Sequence, residues 1–182
     1  MVSLLSREFY DGMRYKGSKN AVATTLLVSF NQILKHDQTA ADLLSFMSCI
    51  KPKPIPQSIL PHTELEEQMV HATGMLCAYA LVVRRADDET YDLPRLVHMA
   101  TRVWLGEHGL AAEKTEKAIR HHITVFPSDD WRNRALWRAY LPHALKLLEG
   151  KRGEEVVERY NLCFWVGRCL LVDGSGRCSQ VA

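Results

Sequence analysis

The sequence predicts a mainly α fold carrying one small β-hairpin. Apolar residues recur at spacings of three and four through most of the chain. The exception is a short β-branched stretch at 81–83, a charged turn, and a second short stretch at 91–93. Hydrophobic residues make up 47% of the 182, enough to build a core.

The first predicted helix follows a polar, glycine-containing lead from Asp11 to Asn20. Val22, Leu26, Phe30 and Ile33 mark its buried side, with Asn20 at the position of an N-cap. A second helix carries Ala40, Leu43, Leu44, Met47 and Ile50, opened by a cap at Gln38-Thr39. Three alternate prolines, Pro52, Pro54 and Pro56, forbid a continuous helix, while Ile55, Ile59 and Leu60 keep this connection apolar and ordered. The third helix starts near Thr63 and uses Leu65, Met69, Ala72, Leu76 and Tyr79.

Leu81-Val82-Val83 and Tyr91-Asp92-Leu93 read as two strands around the polar tip Arg84 to Thr90. Two strands after three helices have the outline of a winged helix. From Pro94 a helix resumes, with Leu96, Ala100, Val103 and Trp104 on its buried side and Gly106 and Gly109 at its end. Paired helices follow. One covers 111–125 through Thr115, Ala118, Ile119 and Ile123. The next holds Leu136, Trp137, Tyr140, Leu141, Ala144 and Leu148, with a kink or break expected at Pro142. The last carries Val157, Tyr160, Phe164 and Leu171.

A net charge of +2 is too balanced to announce nucleic acid or an anionic membrane as partner. Met1 to Tyr10 lacks the charged lead, apolar run and cleavage site of a secretory leader, and charge interrupts every apolar run before membrane-spanning length. Five cysteines form an odd set without a CxxC pair. The first four, Cys49, Cys77, Cys163 and Cys169, lie within apolar helical patterns and are expected as small buried thiols. The setting expected is the reducing cytoplasm.

No motif for chemistry survives inspection. Gly12 to Lys19 approaches a phosphate-binding loop, but Ser18-Lys19 reverses the required order of lysine and hydroxyl. His121 and His122 are adjacent and point about 100° apart on a helix, so one ion cannot take both. His71, His98, His108 and His143 lie on other elements without zinc-helix spacing. The carboxylate pairs Glu66-Glu67, Asp87-Asp88 and Asp129-Asp130 sit at turns or helix starts, where they serve solubility and the positive helix end. A DNA-reading wing would use Arg84 and Arg85, yet the helix before it opens with Glu64, Glu66 and Glu67, which meet phosphates badly. Trp104, Trp131, Trp137 and Trp165 are expected in core packing.

Longer strings carry a family resemblance. Arg14-Tyr15-Lys16, Asn20 to Thr25 and Leu27 to Phe30 resemble the segment after the nucleotide-binding module in fungal NB-ARC/TPR proteins. These are NOD-like, STAND-type NTPases, often labelled kinesin-light-chain-like. Ala40 to Met47, Ile55 to Pro61, Leu96 to Arg102 and Trp137 to Ala144 continue the match in order.

The resemblance implies a linker at 1–20, a helical and winged-helix domain at 21–108, and helical hairpins at 110–182 that lead into an incomplete TPR-like repeat. Trp165-Val166-Gly167 matches the packing point of a first TPR helix, and Asp173-Gly174 the turn after it. The family's MHD-like motif, near bound ADP, falls on Leu93, Pro94 and Arg95, where Pro94 replaces the histidine and His98 substitutes poorly.

The function implied is a non-catalytic regulatory and protein-interaction segment of a truncated member. It has no catalytic residue, metal or cofactor of its own, ADP or ATP belonging to the NTPase module of a complete relative. Its partner would be protein, a helical or NTPase module of a related chain, with neither nucleic acid nor membrane. An apolar face near Phe164, Trp165 and Leu170 would do the docking. A stand-alone winged-helix DNA-binding protein is the alternative.

Overall fold

The structure, a computed structural model, describes residues 28–62, 65–85, 89–149 and 156–178, with backbone alone beyond 174. Gly12 to Lys19, Asn20, Val22, Leu26, Thr63, Glu64 and Asp87-Asp88, singled out in the sequence, lie outside them. The fold is mainly α with a small sheet. Its elements are α1 (28–36), α2 (Gln38–Cys49), β1 (Ile55–Pro56), α3 (Glu66–Ala78), β2 (Val83–Arg85), β3 (Thr90–Asp92), α4 (Arg95–Glu107), α5 (Ala111–Val125), α6 (Arg134–Leu148) and α7 (Val157–Cys178).

Phe30 and Ile33 of α1 are buried as expected, and Phe30 meets Trp104 of α4 edge-on at 4.9 Å. The cap of α2 is Asp37 rather than Gln38-Thr39. Its backbone is extended, and its Oδ1 accepts from the Ala40 amide at 2.9 Å, as a short carboxylate one residue before the helix can. α2 lies at the centre, packed by α3, α4 and α5.

The sheet is antiparallel in the order β1-β3-β2, pairing Ile55 with Tyr91 and Arg84 with Tyr91. The sequence reading missed β1 because it sits among prolines; Pro56 is tolerated on an edge strand. β2 also starts two residues later than expected. Leu81 and Val82 are buried but turn their amides back to the Leu76 carbonyl, at 2.9 and 3.3 Å, closing the end of α3. Ala80 donates to Cys77 at 2.9 Å with φ at 54°, which completes a Schellman motif.

The same motif ends α4, where Leu110 donates to Leu105, Gly109 donates to Gly106, and Gly109 has φ at 69°. Gly109 therefore terminates the helix as expected, and Gly106 lies inside it. Only glycine adopts this backbone without a Cβ penalty. Ala80→Gly will raise the melting temperature by about 2–4 °C, for about 1 kcal/mol, and Gly109→Ala will lower it similarly. Thermal melts of both variants that moved in the same direction would contradict this.

The buried side of α4 is Val97, Ala100, Thr101 and Leu105, one step round from the expected Leu96, Val103 and Trp104, which are half-buried. In α3, Ala72 and Leu76 face the core while Leu65 and Tyr79, at its two ends, are exposed. α6 runs unbroken through Pro142, so of the expected kink or break the break does not occur; proline removes one backbone bond there, and the buried Tyr140, Leu141, Ala144 and Leu147 hold the helix. Its Leu136 faces water and Leu148 is half-buried.

Candidate protein-docking face

α7 shows the largest departure from expectation. Its core side is Leu162, Val166 and Cys169, against α5 and α6. Val157, Tyr160, Phe164 and Leu171, the apolar pattern that marks this helix in the sequence, are 68%, 68%, 58% and 75% exposed. Their spacings of three, four and seven put them in one stripe along the opposite side of the helix. The helix is apolar on two faces, and only one is covered by the described residues.

The proposed contact residues join this surface unequally. Phe164 and Leu170 are exposed, whereas Trp165 is half-buried with its ring edge-on to Phe164 at 5.6 Å. Cys163 is also exposed, which corrects its assignment as a buried thiol; Cys49 and Cys169 are buried and Cys77 is half-buried.

Ion pairs at one end and charged hydrogen bonds at the other pin α7 to α6. Asp173 receives Arg134 and Arg138, one turn apart on α6, with Arg134 bonding at 3.1 and 3.2 Å. At the other end Arg159 donates to the carbonyls of Leu147 and Leu148, at 3.3 and 2.6 Å. α6 and α7 therefore run antiparallel. The turn expected at Asp173-Gly174 is not formed: α7 continues to Cys178, with Asp173 engaged in this clamp. Midway, Arg168 binds Asp129 at 2.7 Å, and its guanidinium lies 5.8 Å from the Phe164 ring centroid. Trp131 is exposed, not core, with Arg134 stacked over its ring at 4.2 Å.

The other predicted positions do not converge on a site. Leu93 is buried and its amide donates to Pro52 at 2.8 Å; Pro94 is the N-cap of α4, and Arg95 is exposed. His98 points towards the C-terminal end of α2, where Arg102 donates to the Ser48 carbonyl. Burial, then Arg102 and Lys146, hold its pKa below the ordinary value. In the hairpin, Arg85 binds Asp92 at 2.8 and 3.1 Å.

A groove of about 270 Å³ between α2 and α5 is lined by Asp42, Phe46, Pro61, Lys114, Lys117 and His121. Its cations are already engaged, Lys114 by Asp42 and Lys117 by Glu113, both at 2.7 Å.

Two of the histidines weighed and set aside as metal ligands, His122 and His143, lie buried at the centre of the helical hairpins. His122 is buried between Phe126 and Tyr140, and among the described residues neither ring nitrogen makes a well-formed hydrogen bond. Burial, with smaller contributions from His143 and His121, lowers its pKa to about 3. His143 donates its Nε2–H to the Pro54 carbonyl, 2.8 Å away, and burial lowers its pKa to about 4. The spacing of His122 from Ala118 and Ile119 was the available signal, since four and three residues along a helix share a face. His121 points elsewhere, to the Ile59 carbonyl and the Phe46 ring. Among the described residues no group of three or more His, Cys, Asp or Glu could hold a metal ion, and no helix is long and apolar enough to cross a membrane.

No family model matches the chain, and no solved structure matches it. Over 148 residues it is 35% identical to a nucleotide-binding leucine-rich repeat (NLR)-like protein of Hyaloscypha variabilis. The alignment takes in 81% of this chain and 15% of the relative, so the chain spans a small part of that protein's length. Its kinship is with one stretch of a fungal NLR-like protein.

Proposed function

We propose that this chain is a non-catalytic regulatory segment of the NLR-like kind, which works by docking on protein through the exposed face of α7. The observation that carries the reading is the uncovered stripe Val157, Tyr160, Phe164 and Leu171 on a helix clamped at both ends. A contiguous apolar stripe on a rigid element is an interaction surface rather than a solvated one.

The helices and sheet before it are read as a winged helix. In support, β3 lies between the early strand β1 and its own hairpin partner β2. The helix pair after it is read as the start of a TPR-like array. The free thiols of Cys77, Cys163 and Cys169 favour the cytoplasm. DNA is a poor partner for this wing, because Arg85 is bound to Asp92 and α3 opens with exposed Glu66 and Glu67.

The test is binding between this chain and the purified Hyaloscypha relative, followed by interferometry. Micromolar binding is expected, weakened at least about tenfold by Phe164→Glu combined with Leu171→Glu. Binding that ignored both substitutions, or no binding at all, would sink the reading.

A further inference from the structure

The residues of the α7 stripe are placed symmetrically. Val157 and Leu171 stand equally far before and after Phe164, as do Tyr160 and Arg168, and Asn161 and Gly167. We propose that this face is covered by the same face of a second copy, with the two α7 helices antiparallel across a two-fold axis at Phe164. The proposal names the partner of the docking face and rests on that reading.

Each pairing the axis creates is complementary. Phe164 meets its counterpart, and the apolar ends Val157 and Leu171 meet each other. Arg168 comes to lie against Tyr160 of the second copy, and a guanidinium over an aromatic face is attractive; within its own chain it already lines Phe164. Gly167 offers open space, since an added Cβ there would meet nothing within 4 Å, and it falls opposite Asn161. The charge of Arg168 is balanced by Asp129. A parallel pair would instead set Arg168 against Arg168.

The size is also adequate. From 157 to 171 the stripe runs about 21 Å at the helical rise, and it exposes on the order of 500 Å² of apolar surface. With its flanks, including exposed Leu170, it approaches the roughly 800 Å² per partner of a standard interface. Such self-complementary faces close as two-fold dimers.

The test is sedimentation of the whole chain across a dilution series. The mass should approach twice 20.7 kDa when concentrated and fall on dilution. Val157→Lys alone and Leu171→Glu alone should each weaken association at least about tenfold. The double variant should recover it, because an antiparallel pair sets each lysine against a glutamate of the other copy. Both positions are exposed, so circular dichroism should show the fold intact in every variant. A wild type that stays monomeric, or a double variant no better than the single ones, overturns the proposal. A monomer that still binds the Hyaloscypha relative through Phe164 and Leu171 overturns self-pairing alone; loss of that binding too removes the docking reading with it.

Discussion

Lowering the pH from 7 to 5 will remove about 4 kcal/mol from the free energy of unfolding through His122 and His143 alone. The folded chain holds both rings neutral, with pKa values of about 3 and about 4, against 6.5 for a solvated histidine. Below pH 6.5 the unfolded chain binds these two protons and the folded chain does not. Stability therefore falls with pH by about 1.4 kcal/mol per unit for each ring, until the folded pKa is reached. At pH 5 both folded values still lie below the solution pH, so the loss there depends on the unfolded value alone.

The groups facing these rings act in the same direction. His143 and His121 disfavour the cation at His122, and Lys51 disfavours it at His143. The backbone of Tyr140 at His122, and of Pro54 and Lys51 at His143, favours the cation but does not overcome burial. His98 and His121, also lowered by burial, add to the loss. Urea unfolding at the two pH values measures it. His122→Leu should remove about 2 kcal/mol of the difference and, by deleting two nitrogens that make no well-formed hydrogen bond, should not weaken the protein at pH 7. A variant with an unchanged pH dependence would show that His122 is not the proton-linked group.

The helices were legible in the sequence because residues such as Phe30, Ile33, Leu44, Ala118 and Ile119 combine helical spacing with burial. Where the reading slipped, tertiary context decided. Leu81 and Val82 have strand-forming side chains, but the end of α3 needs their amides, which moves the start of β2 to Val83. α7 offers two apolar patterns of equal quality, Leu162-Val166-Cys169 and Val157-Tyr160-Phe164-Leu171. Nothing local ranks them; the positions of α5 and α6 do. Phe164 and Leu170 are legible as contact residues only through resemblance, and the rest of the stripe is legible only as a helical apolar pattern. Sequence alone leaves open which histidines are structural and which are on the surface; adjacent His121 and His122 leave α5 in different directions, and the packing of α6 selects His122 for the core.

Leu44→Ala will cost about 3–4 kcal/mol, close to the effect of acid. Leu44 has no exposed surface, and nine of the twelve residues of α2 are buried. Even the two serines on this helix turn their hydroxyls inward, to the Ala41 and Ser45 carbonyls at 2.7 Å. A helix surrounded by α3, α4 and α5 cannot shift into a cavity on one side without opening another, so the void persists and its cost adds to the lost transfer energy. Because α2 joins the hairpin-bearing half to the helices that carry α7, the loss should appear as one transition. Far-ultraviolet dichroism and tryptophan fluorescence, the latter including buried Trp137 on α6 and half-buried Trp104 on α4, should give coincident urea midpoints, lowered together. Val70→Ala, on the solvent side of α3, should move neither by more than about 0.5 kcal/mol. If the two probes separated in Leu44→Ala, the halves would be folding independently, and α2 would not be the element that couples them.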